Sequence, residues 1–207
     1  MGVISMYSLD CKKYKCFIND ETAKEWGRRY YKDFSSKYKE YNQQLAKFDH
    51  MHNSSKCVEY FCGHGYREMN NYLRNDTINA AAKSYTEALT FTLLLAPPIP
   101  EDIVVYRLVC PEFIEALIKS NSQIIEKGFL SSGMLTSITE LNEHYADYDD
   151  MLRLYVPKGI RGLYVNEIAP RQENEIILIP NTHIRLIKKL KHKICNKTIY
   201  ECEVLNL

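Results

Sequence analysis

Three prolines, Pro97, Pro98 and Pro100 in the stretch "APPIPED" (Ala96 to Asp102), divide this chain into halves of different periodicity. Each lacks a backbone donor and cannot sit inside a helix without breaking it. Before the break the texture is helical. From Asp20, "DETAKEWGRRYYKDFSSKYKEYNQQLAKF" places Ala23, Trp26, Tyr30, Phe34, Tyr38, Tyr41 and Leu45 at steps of three or four, with Asn19 or Asp20 available as N-cap. This predicts one long amphipathic helix or two joined ones. In "KCVEYFCGHGYREMNNYLR", Gly63 and Gly65 interrupt a pattern that resumes through Tyr66, Met69, Asn70 and Leu73, and a third helix is predicted from Thr77 to Leu94.

After the break the runs are short and β-branched or alternating. "IVVYRLV" (Ile103 to Val109), "MLRLYV" (Met151 to Val156), "GLYVNEI" (Gly162 to Ile168), "EIILI" (Glu175 to Ile179), "HIRLIKKL" (His183 to Leu190) and "TIYECEVLNL" (Thr198 to Leu207) read as strands. Pro111 to Glu126 interrupts them with a predicted helix. Helices first and strands second indicate an α+β fold rather than a doubly wound sheet. A chain of 207 residues, 45% of them hydrophobic, can bury one sizeable core. The expectation is a single domain spanning 1–207, with a helical lobe over residues 20–95 and a β core over residues 100–207.

Charge and cysteine usage remove several function classes. A formal net charge of +1 provides no long-range field that would select nucleic acid or an anionic membrane. The N-terminal "MGVISMYSLDCKKYKCF" is broken by Ser, Asp and Lys, too short and polar for a signal segment or membrane span. Seven cysteines, an odd number without dense spacing, read as reduced thiols. Both features point to a cytosol, either that of the producing cell or one reached by a route other than a signal peptide. Cys57 and Cys62, near His52 and His64, have a separation wider than a structural zinc knuckle, and no second knuckle follows, so no metal is expected.

Three polar elements stand out against the strand pattern. Arg107 lies inside "VVYRLV", where it either has an anionic partner or sits on an edge with its head in water. Ser131 and Ser132 in "EKGFLSSGML" either form a turn or strand end or orient a carboxylate. In "RQENEIILIP", Glu173 and Glu175 precede an apolar run closed by Pro180. If the segment is extended, both carboxylates emerge on one face about 6.5–7 Å apart, with Asn174 pointing the other way. Such a pair is either an edge guard against aggregation or a catalytic device.

The order Arg, then aromatic-x-Ser-Ser, then Glu-x-Glu resembles the R-S-E signature of mono-ADP-ribosyltransferases. Here it stands as "VYRLV", "KGFLSSG" and "ENEIILIP". "AKEWGRRYYKDF", "GHGYREMNNYLR", "APPIPEDIVVYR" and "VPKGIRGLYV" extend the likeness to the catalytic domain of clostridial and Bacillus binary actin-modifying toxins over residues 20–207. The resemblance implies a helical lobe on a mixed or antiparallel β-sandwich core, with NAD as substrate and no metal.

It also implies roles. Arg107 would contact the NAD phosphates, for which a guanidinium fork has the right geometry. Ser131, with Ser132 beside it, would hold the catalytic carboxylate and the nicotinamide ribose. Glu175 would be that carboxylate, Glu173 the partner acid of arginine-modifying members, and Tyr66 an aromatic residue lying over the cofactor. The chain departs from the pattern at Gly133 for the last Ser, Leu108 for a second Arg, Phe61 for a Tyr, and Pro170 for an aromatic residue that helps recognise the acceptor. These departures concern the acceptor more than NAD, so the expected partner is a protein, with actin the acceptor the resemblance itself implies. NAD hydrolysis and a catalytically idle binding module are the competing expectations.

Overall fold

The computed structural model describes residues 13–45, 54–75, 77–137, 148–170, 173–194 and 197–206. Helix α1 runs unbroken from Asp20–Leu45. Asn19 is its cap, accepting from the Thr22 amide at 2.9 Å. The buried face follows the expected stripe through Ala23, Trp26 and Tyr38, but Tyr31, Ser35 and Asn42 are buried while Tyr41 is exposed. Ser35 and Asn42 are polar, so apolar periodicity could not count them.

Trp26 is the hub of α1. Its ring meets Phe17, Tyr30, Tyr31 and Tyr164 with centroids 5.5–6.4 Å apart, and its indole nitrogen donates to Glu101 at 2.6 Å. Beside it, a methyl group at Gly27 would lie 2.1 Å from the Tyr164 ring, so this turn of α1 can approach the sheet only as glycine.

Gly63 and Gly65 do not break the second helical stretch. Helix α2 (Cys57–Tyr60) widens into a π-turn over Phe61–Gly65 and continues as α3 (Tyr66–Asn75). Helix α4 (Ala80–Leu95) is capped by Asn79, which accepts from the Ala82 amide at 2.9 Å. It stops at Ala96, whose backbone is already extended ahead of Pro97.

The strands are β1 (Ile103–Val109), β2 (Gln123–Glu126), β3 (Leu130–Gly133), β4 (Asp150–Val156), β5 (Gly162–Tyr164), β6 (Glu175–Leu178), β7 (Thr182–Ile194) and β8 (Lys197–Val204). They form one eight-stranded sheet in the order β2-β7-β8-β4-β1-β3-β6-β5. It is mixed, because β4 and β8 run parallel while the other pairs are antiparallel. The α+β class with helices ahead of a mixed sheet is therefore as expected. The strands are linked edge to edge throughout, and β1 meets β3 through one register pair, Tyr106 with Gly133.

The predicted helix from Pro111 to Glu126 is too long. Helix α5 covers Pro111–Lys119. Asn121 and Ser122 then take left-handed backbones, with φ of 54° and 64°, and turn the chain into β2. Strand β5 is shorter than predicted and β7 longer.

One apolar cluster joins all the helices to the sheet, and a smaller one gathers around Tyr14, Tyr106 and Tyr155. Polar ties fix the helical lobe to β3. Asn70 of α3 accepts from the Phe129 amide at 2.7 Å and donates to the Phe129 carbonyl at 3.3 Å. One turn later Arg74 makes a two-pronged contact with buried Glu126, at 2.9 and 3.1 Å, and Glu126 accepts from the Gly128 amide. Replacing Asn70 with Ala strands both backbone groups of Phe129 in a buried setting. The expected loss is about 1–3 kcal/mol of stability, read as a lower urea midpoint.

Candidate active site

Strands β1, β3 and β6 are neighbours, and their register decides which side chains meet. Gly133 pairs with Tyr106 on one side and with Glu175 on the other. Side chains alternate along each strand, so Arg107 shares a face with Val105 and Val109, both members of the cluster shared with the helices. Ser131 and Gly133 share the other face, with Tyr106 and with Glu175, the partner of Gly133 on β6.

A chain of hydrogen bonds crosses the three strands. Arg107 donates from Nη1 to the Ser131 carbonyl at 2.5 Å. The Ser131 hydroxyl donates to Glu175 Oε1. Glu175 is 3% exposed, and its backbone is fixed independently. Its amide donates to Asn166 Oδ1 at 2.9 Å, and its carbonyl accepts from the Val165 amide at 3.0 Å. The structure thus brings Arg107, Ser131 and Glu175 together, although 68 positions separate the first from the last (175 minus 107). A guanidinium and a carboxylate linked through Ser131 across adjacent strands suit a ligand with anionic groups at one end and a developing cation at the other.

Glu173 does not follow strand geometry. Strand β6 begins only at Glu175, Glu173 lies in a turn, and Asn174 between them has φ of 47°. The spacing expected from an extended segment therefore fails, because a left-handed residue turns the chain between the two acids. The Asn174 side chain meets α1 and β5. It is fully buried, its amide donates to Asp20 Oδ1 at the start of α1, and its Oδ1 accepts from Tyr164 at 2.8 Å. Burial, with the Glu167 and Asp20 charges adding, pushes the Tyr164 hydroxyl well above its ordinary range, so it stays a neutral donor. The Lys24 ammonium, bonded to Asp20, holds that carboxyl below the usual carboxylate range.

Ser132, expected beside the cofactor, lies on the face opposite Ser131 and Glu175. It pairs with Ile176, is 2% exposed, and its hydroxyl is buried without a hydrogen-bond partner. Strand alternation separates two adjacent serines that the sequence presents as a unit. Tyr66 opens α3, half-buried, edge-on to Phe61 at 6.5 Å. One helical turn separates it from Asn70 on the same side of α3, and Asn70 clamps Phe129, two residues before Ser131.

Sequence reasoning passed over Asn166, Asp20 and Tyr164, which act on Glu175 and Asn174 across the fold and have no local signature. Asn174 carried one signal, since asparagine tolerates a left-handed backbone better than most residues. As to metals, no group of three or more His, Cys, Asp or Glu residues is placed to hold one among the described residues. Cys57 is buried against Thr92 and Tyr38, Cys62 is buried, and His52 lies outside the described residues.

The ADP-ribosyltransferase exoenzyme family matches residues 23–205 of this chain. The chain belongs to that family. No curated protein sequence matches it. Among solved structures it is similar to the ADP-ribosylating toxin BECa of a binary enterotoxin of C. perfringens, solved with NADH, at 18% identity and a TM-score of 0.73. That likeness covers 93% of this chain and 50% of BECa, so the chain spans about half the length of that toxin. The Clostridium limosum C3 exoenzyme is similar over 93% of this chain and 98% of its own, at 15% identity and a TM-score of 0.68. C3stau2 from S. aureus, solved with NAD, is similar over 94% of this chain and all of its own, at 16% identity and a TM-score of 0.65. At such identities the likeness establishes the fold. Family and fold together are those of the ADP-ribosyltransferase exoenzymes.

The two serines give a paired test. Ser131→Ala removes the hydroxyl that holds Glu175, and nicotinamide release from NAD is expected to fall about tenfold or more. Ser132→Ala removes a buried hydroxyl without a partner, so urea stability is expected to hold or rise, with nicotinamide release unchanged. Equal losses in both variants would contradict this assignment of faces.

Proposed function

We propose that the protein transfers ADP-ribose from NAD to an arginine side chain of a protein acceptor, releasing nicotinamide. The observation that carries this reading is the bonded series Arg107, Ser131 and Glu175 across adjacent strands, with Glu173 one turned residue away. Arg107 binds the NAD phosphates, and Tyr66 on α3 lies over the cofactor. Breaking the bond between nicotinamide and ribose C1′ sends the electron pair to nicotinamide and leaves an oxocarbenium-like ribose. Glu175, held by Ser131, accepts from the ribose 2′-hydroxyl and stabilises that positive charge. A guanidinium is cationic and a poor nucleophile, so a second carboxylate must align it and take its proton as nitrogen bonds to C1′. Glu173 does this. Glutamate at both positions supports an arginine acceptor, while Pro170 and Leu108, where the actin-modifying pattern has other residues, favour an acceptor other than actin.

The two acids separate experimentally. Glu175→Gln is expected to abolish both nicotinamide release and protein labelling, a loss of several kcal/mol of transition-state stabilisation, about 3–4 or more. Glu173→Gln is expected to suppress labelling while nicotinamide release into water persists, because the cation still forms. Side-by-side assays with labelled NAD and a cell lysate measure both, and equal loss of both activities in Glu173→Gln would refute the division of roles. For the cofactor end, Arg107→Lys replaces a fork with a point charge and is expected to weaken NAD binding about tenfold by calorimetry. Unchanged affinity would remove Arg107 from the phosphate site.

A further inference from the structure

We infer that Asn174 is a positioning residue that sets how ADP-ribose is divided between acceptor and water, by fixing Glu173 relative to Glu175 through contacts to three separate elements. The inference rests on the arginine-transfer reading above.

Each contact is specific. On the β3 side, the Asn174 carbonyl accepts from the Met134 amide at 3.1 Å, extending the β3–β6 ladder one step past Glu175. On the β5 side, Tyr164 donates to Asn174 Oδ1 at 2.8 Å. From the helical lobe, Asp20 at the start of α1 accepts from Asn174 Nδ2. The side chain is fully buried, so water cannot substitute for these partners. The two side-chain partners depend on one another, because Tyr164 packs against the Trp26–Gly27 turn of the same α1 that presents Asp20.

The backbone gives the contacts their consequence. With φ of 47°, Asn174 turns the chain between the acids, so their separation is set at this residue instead of by strand pitch. Glu175 has its own supports, in Ser131, Asn166 and Val165. Glu173 precedes Asn174 in the chain, so the direction in which it leaves β6 is set by the Asn174 backbone. Loosening Asn174 therefore acts first on the acid that serves the acceptor.

The test uses glycine, which accepts the left-handed backbone and lacks the side chain. Asn174→Gly is expected to lower the ratio of agmatine labelling to nicotinamide release about tenfold, the scale of a misplaced catalytic group. Asp20→Ala, at an exposed helix start, is expected to lower the same ratio without depending on how well Asn174→Gly folds. Asp20→Asn, which keeps an acceptor oxygen, is expected to restore it. A purely structural role would lower both activities together and leave the ratio unchanged, which would overturn the inference, as would Asp20→Asn behaving like Asp20→Ala. A wild-type protein that releases nicotinamide yet labels no agmatine or lysate protein would refute the arginine reading. Crystal structures of wild type and Asn174→Gly then decide the inference alone. A displaced Glu173 carboxylate beside an unmoved Glu175 supports it, and coincident positions of both overturn it.

Discussion

Between the part of the sheet built from β2, β7, β8, β4 and β1 and the part built from β3, β6 and β5, the ladder is reduced to one register pair, Tyr106 with Gly133. The bond from Arg107 to the Ser131 carbonyl crosses the same seam one residue further along β1. A guanidinium on a sheet face shared with the core is costly unless hydrogen-bonded, and the Ser131 carbonyl supplies that bond. The seam is also where the site lies. The polar series through Ser131 to Glu175 continues from it.

Glu175 shows how the fold meets the cost of a buried carboxylate. It is held by the Ser131 hydroxyl at its side chain and by Asn166 and Val165 at its backbone. Around this centre the polar groups that tie the helices down are paired rather than exposed. Asn70 satisfies both backbone groups of Phe129, Arg74 meets Glu126, and the Trp26 indole meets Glu101. Such contacts contribute modestly when made and cost more when broken, so they specify how the lobe sits more than how stable it is. That placement brings Tyr66 to the β3 side and Asp20 to Asn174, joining the rigidity of the helical lobe to the chemistry of the sheet.

Much of the fold was legible because local physics is written locally. The proline break after α4, the capping Asn19 and the β-branched run of β1 each act through residues a few positions apart. The errors share a cause as well. Asn121 and Ser122 end the α5 region by left-handed backbones that composition does not announce, Gly63 and Gly65 are absorbed in a π-turn, and Tyr41 looks apolar yet faces water while Asn42 is buried. None of these follows from helix propensity or apolar period alone.

The sequence by itself determined the class of fold, the helix-to-strand switch, and the residue types a transferase of NAD requires, because these depend on period, composition and motif order. Tertiary structure alone decided which of those residues work together. Strand register put Ser131 with Glu175 and turned Ser132 away, since adjacent residues of a strand face opposite sides. The left-handed backbone of Asn174, stabilised by Tyr164 on a neighbouring strand and by Asp20 at the start of α1, replaced the regular spacing expected of two glutamates one residue apart. Contacts of that range have no period in the sequence, so only the folded chain could reveal them.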